Sequence, residues 1–434
     1  ISHILDEDKD IIPTCILDRL INVYNFPHIL IPSLKQIQNY VSNLRNRRIS
    51  QNSISSVLGI VKEHLYDEDL DENEPFFFNL KYDKDGKIVI NNGSDTKHLQ
   101  LMITTKNLLS RIDSNLNGCY HIDGTYKLVK NGFPLIVLTR TDAVHRVHPI
   151  AFCLTSHEQE IDFTNFYEGL VQLSDDLDIE FDPEYIVQDA WDASYNAATN
   201  LFDNVSILMC YFHVMKNCKD IYRQYPRPKQ KIIKNYIRKL HMSTSGSDLT
   251  RNLANFKDYA VNHDECKSLY YYLKRSWLKG RFRYWQIYNK PAGLDSTNSP
   301  IESFNRSIKR TFTLNKCLSV HNFVNTMVRM ARYYSVKQDL FATKAVPDSK
   351  TKKLVSCYAK GNFFKRIDKE HWKFSKDVEH TINLKEETCS CCHHLKYGIC
   401  CHLLALKKLK SCDEFVKKPK RGGQKKAKGA LTRI

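Results

Sequence analysis

The sequence predicts a mixed α/β protein: one sheet flanked by helices, an all-helical block interrupting it, and a small metal-bound module near the end. Three observations predict this. Five short runs rich in aliphatic, β-branched and aromatic residues fall between residues 119 and 212, and helix-like segments separate the later ones. A long stretch from about 214 to 293 then keeps helical spacing throughout. Finally, Cys389, Cys391, Cys392, Cys400 and Cys401 crowd together, interleaved with His393, His394 and His402.

Taken in order, residues 1 to about 65 carry helix-like apolar spacing, as in "CILDRLINVY", "LKQIQNYVSNLRN" and "ISSVLGIVKEHL". After the acidic run "YDEDLDENE", "FFFNLKY" and "KIVINN" flank "DKDG", where Asp85-Gly86 predicts a hairpin turn. "CYHIDGTYKLV", "FPLIVLTRTD" and "VHPIAFCLT" read as three strands of an antiparallel meander, broken at Asn131-Gly132 and at a short turn near Ala143–Arg146. A helix ("EIDFTNFYEGLVQLSDDL"), the strand "EYIVQD", the helix "DASYNAATNLF" and the strand "SILMCYF" complete a five-stranded mixed sheet. Beyond the helical block, "NSPIESFNRSIKRTF" predicts a helix with Asn298 or Ser299 as N-cap, Pro300 and Glu302 in its first turn. "VHNFVNTMVRMARYYS" continues helical, and residues 341–380 are poorly patterned.

Among the 434 residues, 42% are hydrophobic and 26% charged, as in an ordinary folded protein of two or three domains. No apolar run approaches the roughly 18 residues a membrane span needs, so no membrane partner is expected. The acidic N-terminus lacks the features of a signal peptide, and without an initiating Met the chain reads as a fragment or a processed product. Fourteen cysteines without a secretory signal argue against a disulfide scaffold. The net charge of +17 makes nucleic acid the expected partner. The strongly basic "KKPKRGGQKKAKG" reads as a disordered arm on phosphates or a nuclear-import signal, hence a nuclear location.

Three carboxylates stand in unusual settings. Asp123 interrupts a strand, Asp189 closes the strand "EYIVQD", and Glu302 opens a helix. Acids at such positions are costly unless paired, protonated or metal-bound. Converging, they would repel one another unless cations intervened, and two Mg²⁺ or Mn²⁺ ions about 3.5–4 Å apart suit hard oxygen ligands and in-line phosphoryl displacement. Asp192, three residues on, rivals Asp189 but falls after the strand has ended.

These residues resemble a known family. "HIDGTYKL", "GFPLIVLTRTDAVHRVHPIAF", "VQDAWDAS", "CYFH" and "NSPIESFNRSIKR" are similar, in order and spacing, to the Mutator-like (MULE) transposase domain over roughly residues 75–320. The resemblance implies an RNase H-like catalytic fold and a DDE transposase. It implies Asp123, Asp189 and Glu302 as the catalytic, metal-holding acids, with Glu302 following Asp189 by 113 residues because an all-helical insertion intervenes. The expected domains are then an N-terminal helical region with hairpin (1–100), the first part of the catalytic core (101–213), the insertion (214–297), closing helices (298–340), a connecting region (341–380), a zinc finger (381–410) and a basic tail (411–434).

"CYFH" supplies Cys210 and His213, and the family carries a Cys-x-x-His motif here. Two donors are too few for a structural zinc site. His213 could contact a phosphate or shuttle a proton in catalysis, or the pair could simply pack. In "CSCCHHLKYGICCHLLAL", Cys389-x-Cys391 and Cys400-x-His402 can close a tetrahedral Zn²⁺ site, similar to the SWIM zinc finger that often follows MULE domains. Cys392, His393, His394 and Cys401 are spare candidates.

For DNA contact, "YYYLKRSWLKGRFRYW" interleaves bases and aromatics, with Lys274, Arg275, Lys279, Arg281 and Arg283 facing phosphates and Trp277 or Trp285 either stacking on an unpaired base or packing in a core. Arg306, Lys309 and Arg310 follow on the helix of Glu302, and Lys417, Lys418, Lys420 and Arg421 lie in the tail. The expected activity is two-metal cleavage at transposon ends and strand transfer into target DNA. The partners are double-stranded terminal inverted repeats and target DNA, bound by a homodimer or higher oligomer. The alternative is a domesticated, non-catalytic DNA-binding regulator, against which all three acids being intact weighs. A host nuclease fits the sheet but neither the insertion nor the finger.

Overall fold

Each of the five strand runs between 119 and 212 forms a strand, and their sheet takes in two more. The computed structural model describes residues 1–7, 11–24, 26, 27, 30–49, 52–112, 118–337, 340–360 and 362–410. Its strands are β1 (Phe76–Phe78), β2 (Lys81–Tyr82), β3 (Ile88–Val89), β4 (Gln100–Thr104), β5 (Cys119–Thr125), β6 (Leu135–Thr141), β7 (Val147–Thr155), β8 (Tyr185–Gln188) and β9 (Ser206–Met209), followed by β10 (Phe364–Arg366), β11 (His371–Ser375), β12 (Glu379–Asn383) and β13 (Thr388–Cys389). The large sheet has seven strands in the order β1-β4-β7-β6-β5-β8-β9, two more than the five expected. β5, β6 and β7 form the antiparallel meander, whereas β8 pairs parallel to β5 and β9 parallel to β8. The result is the mixed α/β arrangement, a sheet flanked by helices, that the sequence led us to expect.

The correction concerns "FFFNLKY". Phe76–Phe78 joins the large sheet by antiparallel pairing with β4, and only Lys81–Tyr82 and Ile88–Val89 form the hairpin, closed by Gly86 at φ 73°. Three consecutive buried phenylalanines need a sheet covered on both faces, which a two-stranded hairpin cannot offer.

Alternate residues serve opposite cores. Ile136 and Leu138 of β6 join Ile122, Phe163, Phe166 and Leu170 on one face. Leu135 and Val137 join Phe152, Ile301, Ile308, Phe323 and Met327 on the other. This two-sided burial explains why β6 reads as a continuous apolar run. The helices Glu160–Asp176 and Asp192–Leu201 contribute to the first face, and Ser299–Phe312 and Val320–Val336 to the second.

The chain divides into two compact units. One comprises Ile1–Lys234, His263–Trp285 and Asp295–Thr343, and holds the large sheet; the other comprises Asn235–Asn262, Gln286–Leu294 and Lys344–Ile434, described to residue 410. Between β9 and Ser299 the chain forms the helices Tyr211–Tyr222, Arg227–His241, Gly246–Val261 and Asp264–Trp277 and no strand. In the second unit, β10 to β13 form a four-stranded antiparallel sheet in chain order. The stretch 341–380, unpatterned in sequence, supplies the helix Ser349–Tyr358 and strands β10 and β11. No helix among the described residues is long and apolar enough to cross a membrane.

Candidate active site and candidate zinc centre

Asp123 lies in β5, and Asp189 directly follows β8. The parallel register pairs His121 with Val187. Continued by two residues, it sets Asp123 abreast of Asp189 on one face of the sheet. Gly124 follows because space is short: a Cβ there would stand 2.7 Å from Glu158 Oε1 and 3.1 Å from the Trp191 ring.

Glu302 arrives from the helix Ser299–Phe312, which buries Ile301 and Ile308 in the core. Asn298 precedes this helix, yet its side chain caps nothing. Instead its Nδ2 donates to the Ile122 carbonyl (3.2 Å) and to Asp189 Oδ1 (3.5 Å), while its Oδ1 accepts from His121 Nδ1 (3.0 Å). Its backbone N–H donates to Cys210 Sγ at 3.1 Å. One turn beyond Glu302, Asn305 Nδ2 donates to Asp123 Oδ2 at 2.8 Å. Positions 298, 302 and 305 recur at helical spacing and so share the face turned to the two aspartates. Sequence reading missed both asparagines, although their spacing from Glu302 was a usable signal.

His213, in the first turn of the helix Tyr211–Tyr222, completes the cluster. Its Nδ1 stands 2.6 Å from Asp189 Oδ1 and 3.9 Å from Glu302 Oε1. The approach to Asp189 lies off the hydrogen-bonding direction, so Nδ1 is buried without a hydrogen-bond partner, as is Glu302 Oε1. Asp123, Asp189, Glu302 and His213 are thus brought together from four separate elements.

Electrostatics show the strain of this gathering. Burial, reinforced by the Asp189 and Glu302 carboxylates, pushes Asp123 up to about 7, against which Asn305 is the main opposing hydrogen bond. Burial also raises Glu302. Burial alone would lower His213, but Asp189 and Cys210 beside it carry the imidazole up to about 10. Three crowded carboxyls, one with an orphaned buried oxygen, form a hard-oxygen set that fits Mg²⁺ or Mn²⁺.

Asp192 is elsewhere: it is exposed and pairs with Arg281 at 2.9 Å. Arg281 also donates to Asn196 and lies over Tyr195, and Arg283 is held on Tyr284. Lys274, Arg275 and Lys279 line a cleft of about 370 Å³ with Ser268, Tyr271 and Tyr272. Arg306 and Arg310 are exposed, and Lys309, half-buried, feels the Asp123 carboxyl while burial lowers its pKa. Trp277 and Trp285 are core residues at 5% and 1% exposure, which removes both as base-stacking platforms. Lys417, Lys418, Lys420 and Arg421 lie outside the described residues.

The second unit gathers Cys389, Cys391, Cys400 and His402 with all four donor atoms within 4.8 Å of one another. Cys391 precedes the helix Cys392–Tyr397 and Cys400 the helix Cys401–Lys410, so the backbone N–H groups of His394 and Leu403 donate to their sulfurs (3.3 and 3.4 Å). Gly398, at φ 67°, ends the first of these helices and turns the chain back toward Cys400. The neighbouring Cys391 thiol pushes Cys389 up to about 12, and burial holds His402 neutral down to about 4. Mutually crowded thiols and a neutral imidazole form a Cys₃His set that can hold Zn²⁺, compatible with a SWIM-type finger. The spare candidates Cys392, His393, His394 and Cys401 fall outside this group; His393 Nδ1, for one, donates to the Ile399 carbonyl.

Residues 119–217 match the family model of the MULE transposase domain, a match that points to a transposase-related function and to DNA binding. No curated protein matches the chain.

Proposed function

We propose that the protein is an active DDE transposase, cutting DNA at transposon ends and joining the freed 3′ ends to target DNA. One observation carries this reading: Asp123, Asp189 and Glu302, spread over 180 residues of sequence, converge around His213, with Glu302 Oε1 buried and unpartnered. Asp123, Asp189 and Glu302 would hold two Mg²⁺ or Mn²⁺ ions. When bound, these supply Lewis-acid activation of the attacking water or 3′-hydroxyl and stabilisation of the leaving oxygen.

The chain's own residues do the rest. Asn305 orients the Asp123 carboxylate and favours its ionised form. Asn298 ties the start of the Glu302 helix to the strand of Asp123 and to Asp189. His213 carries a proton at Nδ1 against Asp189, available to a phosphate oxygen or an attacking hydroxyl. Lys274, Arg275, Lys279, Arg306, Lys309 and Arg310 contact the DNA backbone, with Lys417, Lys418, Lys420 and Arg421 adding a sequence-independent arm that also serves nuclear import. Arg281 and Arg283 join them by exchanging intramolecular partners. Two ends must be handled together, which calls for a dimer or higher oligomer on DNA.

The deciding assay incubates purified protein with a labelled duplex carrying the element's terminal repeat, in Mg²⁺, Mn²⁺ or EDTA. Cleavage in either metal and none in EDTA is expected. Tight binding with no cleavage in any metal would instead identify a domesticated DNA-binding regulator.

A further inference from the structure

Read as sequence, Cys210 and His213 offer two donors and no metal site; the fold adds a third. Asp189 and Cys210 directly follow β8 and β9, which pair in parallel with Gln188 abreast of Met209, and Cys210 N–H donates to the Gln188 carbonyl at 2.9 Å. His213 stands one turn on. The Asp189 carboxylate, Cys210 sulfur and His213 ring nitrogen all lie within 4.8 Å of one another.

We propose that Asp189, Cys210 and His213 form a second transition-metal site that takes Zn²⁺, distinct in its ligands from the Cys₃His group. Ligand atoms of a tetrahedral zinc stand roughly 3.3–3.8 Å apart, so donors now 2.6 Å (His213 Nδ1 to Asp189) to at most 4.8 Å apart need shifts of only about 1 Å, the first pair opening and the wider ones closing. One thiolate, one imidazole and one carboxylate with an open fourth position select zinc over magnesium, because sulfur and nitrogen are softer donors than Mg²⁺ accepts. Three further features point to a ligand. Cys210 is fully buried, and its sulfur accepts the Asn298 N–H at 3.1 Å. His213 Nδ1 is buried without a hydrogen bond despite its 2.6 Å approach to Asp189. Glu302 Oε1, 3.9 Å from that nitrogen and likewise unpartnered, stands at the open corner.

A consequence follows that rests on the transposase reading. Zinc at this site occupies the Asp189 carboxylate, so it displaces the hard ion there and halts cleavage. Zinc would thus be structural in the Cys₃His group and inhibitory at the acidic cluster.

The test uses the full chain, loaded with Zn²⁺, desalted and analysed for metal. Wild type should hold about two zinc ions per chain, and Cys210→Ser and His213→Gln about one each. Replacing zinc by Co²⁺ should show the thiolate charge-transfer band weakened in Cys210→Ser. Because Cys210 is buried, thermal melts accompany each variant, and His213→Gln, at a partly exposed position, stands in should Cys210→Ser unfold. Folded variants that retain the wild-type zinc content would overturn the site. In a second arm, micromolar Zn²⁺ added to a Mg²⁺ cleavage reaction should slow wild type at least about tenfold, and Cys210→Ser, relative to its own zinc-free rate, much less. Equal inhibition of both would overturn the displacement. Absence of cleavage in Mg²⁺ alone would overturn the transposase reading while the metal content still decides the site.

Discussion

The acidic cluster and the Cys₃His group solve the same problem, crowding donors that repel one another without a cation, on opposite scales of sequence. The four residues of the Cys₃His group lie within 14 consecutive positions and close through two helix starts and a left-handed glycine. The acids come from within one strand, from the end of its parallel neighbour and from a helix 113 residues further on, and they meet only because that strand pair and two asparagines hold them. The local site has little core beyond itself: Cys389, Cys391 and Cys400 pack with Phe374, Ile382, Leu403 and Leu406. The dispersed site sits on a sheet buried on both faces. The difference teaches that zinc would supply folding energy to the first, whereas the fold supplies geometry to the second.

The sharpest way to break that contrast is Asp123→Asn. It should lower end cleavage in Mg²⁺ by at least about a thousandfold while duplex affinity stays within about twofold, since Lys and Arg hold the phosphates. Retained cleavage in a quantitative gel assay would take Asp123 out of the site. Its zinc content should be unchanged. Cys389→Ser should do the reverse, losing one zinc per chain and exposing residues 364–410 to protease, with the melting of the seven-stranded sheet preserved. A variant with full zinc content would reject that ligand.

Asn305→Ala tests the scaffold around the acids. Without its amide, Asp123 ionises less readily, so neutral-pH cleavage should fall about 10- to 100-fold and the acid limb of the pH–rate profile should move upward. A rate loss with an unmoved profile would mean a packing role only.

The smallest effect is on metal-free stability. Asp123 titrates near 7 in the fold and at 3.8 in the reference state, so the unfolded chain releases that proton first and stability falls as pH rises from about 4 to 7. Raised Glu302 acts in the same direction, and raised His213 extends the fall from 6.5 toward 10. At about 1.4 kcal/mol per pH unit, Asp123 contributes at most about 4 kcal/mol. Thermal melts in EDTA should therefore decline across this range, with Mg²⁺ or Mn²⁺ flattening the slope; a slope unaffected by Asp123→Asn would refute the assignment.

Much of this was legible in the chain itself, for reasons that differ by residue. Asp123 stood out because a carboxylate inside a strand is rare, and the Cys₃His ligands because their spacing is local. β1 was read into the hairpin and β4 escaped notice, because strands of three and five residues beside acidic or polar loops show too little periodicity to place. Whether Trp277 and Trp285 stack on a base or pack in a core stayed open in the sequence because a basic helix hides which of its faces is buried.

What the sequence determined by itself, then, was the order of strands and helices, the identity of the acids and the closely spaced thiol ligands, all carried by short-range patterns of hydrophobicity and charge. Only the tertiary structure decided that Asn298 and Asn305 face the aspartates, that Arg281 is tied to Asp192, and that Asp189 stands as a third donor beside Cys210 and His213. Those are contacts between residues from three to nearly two hundred positions apart, set by strand register and helix rotation, and no local pattern encodes them.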